Sequence, residues 1–354
     1  MEEENAAAFK EKKQQKQGAL LREYNRGRMT SEVFITEEEI PRELRGPRST
    51  PKSPSKIRMS QKVRKVKEGE TIFKGHRSYD LMLQLQLGIR WSVGRVTAQG
   101  SREVTEEDFA EGSEVSVKKV EFPRRGTRDT PPHATPDFKW KDYNPYVFRK
   151  LRERFGIDAG EYMLSITGDE ALRELGSPGK SGSVFFLSHD DRFIIKTMRK
   201  HELKHLRTLL ASYYKHVMTN PNTLVTMFYG MHRIKPAGGR KVRFIVMGNL
   251  FNTPLQLHRR FDLKGSSHGR FTPHEKSRSK AILKDLDLDY AFRLEGDYRD
   301  KLVRQLAADC DLLERLRVMD YSLLLGVHFR TPPDVLDANR EMLERGGGGS
   351  GAAG

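Results

Sequence analysis

Residues 176–197 read GSPGKSGSVFFLSHDDRFIIKT, and the fold that we predict for the chain is built outward from this stretch. Two apolar runs, 184–187 and 193–196, flank the polar turn 189–191, which is the pattern of a β-hairpin. A loop rich in glycine and serine precedes the hairpin, and Lys196 lies at the end of its second strand. This order of loop, strands and lysine is typical of a clamp around a nucleotide.

The loop has the composition that phosphate binding requires. Gly179 and Gly182 let backbone N–H groups approach phosphate oxygens, because no side chain stands in the way. Lys180, Ser181 and Ser183 add further donors. The spacing is not that of a Walker A motif, and an ordinary turn explains a glycine–serine hairpin equally well.

Lys196 favours the nucleotide interpretation. A lysine on a buried strand is rare unless it is paired or reaches into a cleft. Glu202 is the only carboxylate between Lys196 and Asp262, so it is the predicted partner. The alternative is that the Lys196 side chain extends to solvent.

Three later segments carry further candidates. The apolar run 242–247 ends in Gly248 and Asn249, which can offer backbone groups to a purine or simply end a strand. Asp262 lies within a basic tract, where charge balance is the ordinary explanation. Asp320 follows a predicted helix and precedes a very apolar segment, so we expect it to be nearly buried. A buried carboxylate is costly unless it is hydrogen-bonded or part of a site.

The remaining pattern predicts a mixture of helices and strands. Segment 78–94 fits a helix or a strand, and helices are predicted at 146–155 and 301–317, with strands at 224–229 and 241–247 joined by a turn at 236–239. A helix after Lys196 places one apolar stripe inward, namely Leu203, Leu206, Leu210, Tyr213 and Val217. For helix 301–317 the predicted inward residues are Leu302, Leu306, Cys310, Leu313 and Leu316.

The charge of the chain is positive and unevenly distributed. The 354 residues carry a net charge of +16. Residues 195–282 hold 18 Lys and Arg against three acids, which accounts for nearly all of the excess. Such a tract favours phosphorylated ligands, an anionic membrane face or nucleic acid. Cys310 is the single cysteine, so a disulfide framework is excluded. No run is apolar enough to span a membrane, so we predict a soluble, cytoplasmic protein.

Residues from about 74 to 330 resemble the phosphatidylinositol phosphate kinases, most closely those of plants that act on phosphatidylinositol 4-phosphate. The motifs that carry the resemblance include GHRSYDLM at 75–82, SPGKSGS at 177–183, IIKTM at 194–198, RRFDLKGSS at 259–267, ILKDLDL at 282–288 and MDYSLL at 319–324. The resemblance implies an α+β, protein-kinase-like two-lobed fold with an antiparallel sheet in the N-lobe and, here, an incomplete C-lobe.

The resemblance also implies a role for each matching residue. It places the ATP phosphates at Gly179, Lys180, Ser181, Gly182, Ser183 and Lys196, with Glu202 as the partner of Lys196, and adenine at Met247, Asn249 and Leu250. Asp320 and Lys196 become the catalytic residues. Arg259, Arg260, Asp262 and Lys264 become the residues near the lipid headgroup, and Mg²⁺ the accompanying ion, with no metal ligand assigned in this chain.

The implied activity is transfer of the ATP γ-phosphate to the 5-hydroxyl of phosphatidylinositol 4-phosphate. The resemblance further implies peripheral binding to the anionic plasma membrane and homodimerisation through the segment 75–94. Nucleic-acid binding, supported only by charge, is the weakest alternative, because no zinc finger or aromatic RNA-binding motif is found.

We predict five regions: a disordered basic arm at 1–70, a dimerisation segment and linker at 71–137, an N-lobe at 138–255, a partial C-lobe at 256–330 and a flexible tail at 331–354. The family's later Ile-Ile-Asp motif and lysine-rich activation loop are missing after Arg330, so we interpret the chain as truncated. A catalytically inactive module that binds membranes or dimerises is therefore the alternative function.

Overall fold

The computed structural model describes residues 69–176, 182–272, 281–289 and 291–329. The predicted arm at 1–70 therefore lies almost entirely outside the described residues, and the tail at 331–354 lies wholly outside them. Within the described residues the chain folds into two compact units. The first comprises residues up to Asn249 together with Leu294–Leu312, and the second comprises Leu250–Arg293 and the residues from Leu313 onward.

A large antiparallel sheet forms the centre of the first unit. Its strands follow the order β1-β4-β5-β6-β8-β7-β3-β2, and each neighbouring pair is antiparallel. The strands are β1 (Glu70–Thr71), β2 (Val117–Phe122), β3 (Phe138–Tyr143), β4 (Arg173–Leu175), β5 (Phe185–Leu187), β6 (Phe193–Met198), β7 (Phe228–Pro236) and β8 (Val242–Gly248).

The two faces of this sheet are covered by α1 (Tyr79–Thr97), α2 (Pro145–Arg154), α3 (Ala159–Thr167) and α4 (Lys200–Thr219). A further helix, α5 (Gly296–Arg315), contacts α4 and the segment before β7. One core joins α1 and α3 to a sheet face that includes the fully buried Trp140. A second core joins α2 and α4 to the opposite face, around Met231. The Trp140 indole donates a hydrogen bond to Ser92 Oγ at 2.8 Å, which ties β3 to α1.

Segment 78–94 is helical, which resolves the ambiguity of its leucine alternation. Met82, Leu85, Ile89, Val93 and Val96 are buried at the three- and four-residue spacing of a helix face. The alternating leucines at 81, 83 and 87 are only half-buried beside them.

The second unit contains a smaller sheet of three strands in the order β10-β9-β11. These strands are β9 (Arg259–Leu263), β10 (Ile282–Leu283) and β11 (Leu323–Val327), and a 3₁₀ turn follows β10 at Asp285–Asp287. Strand β9 pairs with β10 in parallel and with β11 antiparallel. The core of this unit is small and centred on Phe261, Leu283 and Val327.

Two sequence predictions about elements were wrong in detail. Strand β7 begins at Phe228, four residues later than predicted, and extends to Pro236. Of the inward residues predicted for helix α5, Leu302, Leu306, Leu313 and Leu316 are half-buried, but Cys310 is exposed, and the fully buried residues are Asp309 and Leu312. The Asp309 carboxylate accepts hydrogen bonds from the Leu224 amide at 2.7 Å and from Thr223 Oγ1 at 2.7 Å, and it lies 2.6 Å from His216 Nε2. A buried polar anchor thus adds to the apolar stripe on the inward side of this helix.

Candidate active site

The predicted hairpin is present, and its turn is held by a carboxylate. Strands β5 and β6 pair antiparallel, and Asp190 Oδ1 accepts hydrogen bonds from Ser188 Oγ at 2.7 Å and from the Arg192 amide at 3.1 Å. Burial raises the pKa of Asp190, but the hydrogen bonds from Ser165, Ser188 and the Arg192 amide outweigh it, so the pKa is lowered. The carboxylate therefore holds the turn in its ionised form.

Only the two ends of the glycine–serine loop lie within the described residues. Gly179, Lys180 and Ser181 lie outside the described residues. Gly182 has φ +65°, a backbone conformation that favours glycine, and Ser183 is buried. From Val184 onward the chain is fixed to β6, since the amide and the carbonyl of Val184 bond to Thr197 at 2.8 and 2.9 Å.

Lys196 is half-buried in the middle of the sheet. It lies opposite Phe185 of β5 and Ile245 of β8, and its Nζ atom is 5.8 Å from the centre of the Phe185 ring. In the described part of the chain no carboxylate forms an ion pair with Lys196. A half-buried ammonium without an acidic partner is suited to an anionic ligand such as a phosphate.

The predicted pairing of Lys196 with Glu202 was wrong. Glu202 lies in the first turn of α4, where its carboxylate accepts a hydrogen bond from the Arg199 amide at 2.5 Å. The unpaired N–H groups at a helix start attract a carboxylate in the first turn. Glu202 therefore caps its own helix.

The segment predicted to contact adenine is held by β6 and its turn. Met247 lies opposite Ile194. The Asn249 amide donates to Arg192 O at 3.0 Å, and its side-chain Nδ2 donates to Asp191 O at 2.8 Å. Asn249 thus has a structural role, and adenine contact through Met247, Asn249 and Leu250 stays a prediction.

In the second unit, residues 262–270 form what we call the signature turn. Lys264 forms an ion pair with Asp320, although the two residues are 56 positions apart in the chain. Arg270 contacts the Asp262 carboxylate at 3.2 Å. The structure therefore brings together three of the predicted site residues, namely Asp262, Lys264 and Asp320, around one turn.

Asp320 is exposed, contrary to the sequence prediction. Its side chain is 80% accessible, and its φ of +61° places it in a left-handed turn before β11. The apolar residues that follow do not bury it, because β11 is an edge strand on which Leu323 and Leu324 are themselves exposed. The hydrogen bond and charge of Lys264 lower the pKa of Asp320. The carboxylate is therefore ionised at neutral pH.

The two arginines of β9 have partners within the second unit. Arg259 Nη1 lies 3.2 Å from Asp289 Oδ1. The Arg260 guanidinium lies 5.6 Å from the centre of the Phe251 ring, a distance typical of a cation–π contact. Their predicted contact with a lipid headgroup stays a prediction.

Sequence reasoning missed a basic feature of the first sheet. Lys119 lies opposite Lys141, Lys141 opposite Arg233, and Arg233 opposite Arg243. We call these four residues the cationic row. None of them has an acidic partner among the described residues. Burial lowers the pKa of Lys141, and the charges of Arg233 and Lys119 lower it further.

The signal for this row was present in the sequence. Basic residues alternate at 139 and 141, at 233 and 235, and at 241 and 243, which places each pair on one face of its strand. Two members of the row lie outside the 195–282 tract. Counting charges along the chain therefore assigned only half of the row to that tract, although the four residues are neighbours in the sheet.

A metal site is not assembled by the described residues alone. In residues 69–176, 182–272, 281–289 and 291–329 no group of three or more His, Cys, Asp or Glu side chains is arranged to hold a metal ion. Mg²⁺ is commonly bound by one or two carboxylates together with substrate phosphates. The described residues by themselves thus form no cage for Mg²⁺, and we derive no step through this ion.

These features define a mixed α/β protein with a large antiparallel sheet, a lysine on that sheet that has no acidic partner among the described residues, and a lysine–aspartate pair at a turn. The sequence model of the Phosphatidylinositol-4-phosphate 5-Kinase family matches residues 166–347, just over half of the chain. The chain therefore belongs to this family.

Individual relatives extend the similarity beyond the matched region. Phosphatidylinositol 4-phosphate 5-kinase 9 of Arabidopsis thaliana is 54% identical over 88% of this chain and 37% of its own length. Phosphatidylinositol 4-phosphate 5-kinase 1 of the same plant is 56% identical over 75% of this chain and 35% of its own. The rice protein, phosphatidylinositol 4-phosphate 5-kinase 1 of Oryza sativa subsp. japonica, is 53% identical over 74% and 34%. The chain thus spans about a third of the length of these curated relatives.

Proposed function

We propose that this chain carries the site of a lipid kinase that transfers the γ-phosphate of ATP to the 5-hydroxyl of phosphatidylinositol 4-phosphate. The observation that carries the proposal is the ion pair of Lys264 with Asp320, in a chain that belongs to the phosphatidylinositol-4-phosphate 5-kinase family. Two motifs that are distant in sequence bring a carboxylate and an ammonium group together at one turn. The carboxylate can orient a hydroxyl, and the ammonium can stabilise the charge of a phosphoryl group.

In this proposal Asp320 orients the inositol hydroxyl and accepts its proton as the oxygen attacks the γ-phosphorus. The bond between that phosphorus and the ADP oxygen breaks, and ADP leaves. Lys264 places a positive charge beside the developing negative charge of the phosphoryl group. Phosphoryl transfer depends mainly on such positioning and electrostatic stabilisation.

The nucleotide is assigned to the first unit. Lys196 binds the ATP phosphates, since it is half-buried and has no acidic partner among the residues that the structure describes. Gly182 and Ser183 contribute from the end of the glycine–serine loop, and Met247 contributes on the adenine side. Mg²⁺ is the ion expected to accompany ATP, and it neutralises charge on the phosphates when it is bound.

The lipid partner is approached at a membrane surface. The cationic row presents four basic side chains with no acidic partner among the described residues. Each Lys or Arg near an anionic membrane contributes about 1 kcal/mol of binding. No described helix is long and apolar enough to cross a bilayer. We therefore assign peripheral binding to an anionic membrane such as the plasma membrane, and we retain homodimerisation through α1 as part of the proposal.

Kinase activity is tested with radiolabelled ATP and vesicles that contain phosphatidylinositol 4-phosphate. We expect the chain to form a labelled bisphosphate, and Lys196→Met and Asp320→Asn each to abolish turnover while vesicle co-sedimentation is unchanged. Lys204→Met and Asp297→Asn are matched controls, because both positions are exposed and outside the site.

The possible outcomes separate the two functions. If the wild-type chain gives no product but still co-sediments with the vesicles, the inactive membrane-binding module is supported and the kinase proposal fails. If either site variant loses sedimentation, the residue has a structural role that we have mistaken for chemistry.

A further inference from the structure

Asp285 makes more contacts with the signature turn than any predicted site residue. Its Oδ1 atom accepts hydrogen bonds from the Lys264 amide and the Gly265 amide, both at 2.8 Å. Its Oδ2 atom accepts a hydrogen bond from Arg270 Nε at 2.7 Å. One carboxylate thus binds both ends of the turn.

The 3₁₀ turn that carries Asp285 adds two further bonds to the signature turn. The Leu286 amide donates to Arg270 O at 2.9 Å, and Lys284 Nζ donates to Gly269 O at 3.1 Å. Gly265 has φ +71°, a left-handed conformation that favours glycine, and the chain bends there immediately after Lys264. The position of the Lys264 side chain therefore depends on how this bend is held.

The charges around Asp285 make the contact strong. Arg270 and the two backbone amides favour the ionised carboxylate and hold the pKa of Asp285 well below its usual range. Hydrogen bonds to an ionised acceptor are about twice as strong as neutral ones. Because Asp285 engages Arg270 and the amide of Lys264, the Lys264 ammonium is left to pair with Asp320.

We propose that Asp285 is a positioning residue for phosphoryl transfer, which fixes the backbone at Lys264 so that its ammonium faces Asp320. The inference deepens the proposed function and rests on it for the assignment of Lys264 and Asp320. Asp285 itself touches neither the nucleotide nor the lipid in this scheme.

Asp287 provides a matched control two residues further along the chain. Its carboxylate is buried and accepts hydrogen bonds from the Lys284 amide at 2.8 Å and the Thr272 amide at 3.2 Å. It therefore supports the same 3₁₀ turn without contacting Lys264 or Gly265 in the structure. We expect Asp287→Asn to reduce stability without changing the pairing of Lys264.

The first test needs no kinase activity. The rate at which an amine-acylating reagent labels Lys264 is measured by mass spectrometry in the whole chain, with Asp320→Asn as the reference for an unpaired Lys264. We expect Asp285→Ala to label several-fold faster than wild type and close to Asp320→Asn, and Asp287→Asn to label as wild type does. Asp285→Ala labelling at the wild-type rate overturns the proposal, and so does an Asp320→Asn rate equal to wild type.

The second test separates positioning from folding by turnover. A displacement of about 1 Å can cost about 100-fold in rate, so we expect Asp285→Ala to lower kcat by about 10- to 100-fold while the KM for the lipid changes by less than about twofold. Asp285→Asn keeps an oxygen for the two amides and should recover part of this loss. Equal losses of kcat in Asp285→Ala and Asp287→Asn would make the role of Asp285 merely structural.

The two tests also distinguish this proposal from the proposed function. If the wild-type chain has no kinase activity, the labelling experiment still decides whether Asp285 controls the pairing of Lys264. If the chain is active and labelling is unchanged in Asp285→Ala, only the positioning role fails.

Discussion

Two glycines of helix α1 have very different surroundings. A Cβ atom at Gly88 would lie 2.1 Å from the Trp140 ring, whereas a Cβ atom at Gly94 would meet nothing within 4 Å. Gly88 is therefore required for the close approach of α1 to the sheet, while Gly94 only adds flexibility to the unfolded chain.

This contrast gives a paired prediction. Gly88→Ala should lower the free energy of unfolding by about 1–3 kcal/mol through overpacking, and Gly94→Ala should raise it by about 0.5–1 kcal/mol. Urea unfolding followed by tryptophan fluorescence measures both. Equal stabilities of the two variants would mean that Trp140 moves aside without cost.

The pKa of Asp285 predicts how stability depends on pH. Its folded-state pKa lies below that of the unfolded chain, so its stabilising contribution is present above the unfolded pKa and is lost as the pH falls through the folded value. We expect Asp285→Asn to reduce the urea midpoint near pH 7 and to approach wild type as the medium becomes acidic. A deficit that does not depend on pH would argue against this ionisation.

At the residue scale the sequence predicted the element on which a residue lies better than its burial and its partners. Lys196 was correctly placed on the hairpin's second strand, because its apolar neighbours define a strand, although that strand continues beyond it to Met198. Glu202 and Asp320 were misjudged, because the choice of partner depends on what lies nearby in space. The Glu202 carboxylate accepts a hydrogen bond from the Arg199 amide at the start of α4. Asp320 is exposed because it precedes an edge strand.

Helix α5 is attached to the first unit by a buried carboxylate. Asp309 is 4% exposed and bonds to Thr223, the Leu224 amide and His216. Removal of a buried acceptor leaves its donors unsatisfied, so we expect Asp309→Ala to cost about 3 kcal/mol of stability. The neighbouring variant Cys310→Ser should stay within about 0.5 kcal/mol of wild type. A larger effect at Cys310 would indicate that the helix faces the other way.

The cationic row should lower the stability of the folded chain and strengthen its binding to anionic vesicles. Like charges directly opposite each other in a sheet are destabilising, so Lys141→Gln should leave the free energy of unfolding unchanged or raise it by up to about 1 kcal/mol. The same variant should bind anionic vesicles about fivefold more weakly, since one charge is worth about 1 kcal/mol there. The exposed Lys301→Gln, outside the row, is the control and should have a smaller effect. Equal losses from both variants would show that only net charge matters.

At the element scale, short-range signals were sufficient for some predictions. The hairpin β5–β6 and helix α4 followed directly from apolar spacing and turn residues. The type of α1 was ambiguous, because its leucines fit both a two-residue and a helical period, and only packing against Trp140 decides between them. The burial of Asp309 on α5 could not be predicted, because this residue finds its partners more than eighty residues earlier in the chain.

For the whole molecule, the net charge of +16 predicts binding that depends on salt. Raising the salt from about 0.1 M to about 1 M shortens the Debye length from about 10 Å to about 3 Å. We expect co-sedimentation with vesicles containing phosphatidylinositol 4-phosphate to fall steeply over this range, and neutral vesicles to bind little at either salt. Binding that persists at high salt would indicate that apolar insertion dominates.

The organisation of the chain was only partly predictable. The sequence predicts a boundary between residues 255 and 256, whereas the structure divides the chain between Asn249 and Leu250. The composition of the sequence does not indicate that Leu294–Leu312 returns to the first unit. This return depends on the contacts that Asp309 makes with residues 216–224.

That return makes the two units interleaved in sequence, so a single cut cannot separate them. A fragment that stops at Asn249 would keep His216 and Thr223 but lose the Asp309 carboxylate that lies against them. Deletions, domain exchanges and gene fusions at this boundary would therefore damage the upstream unit as well. A chimera designed from this chain should transplant both segments of the first unit together.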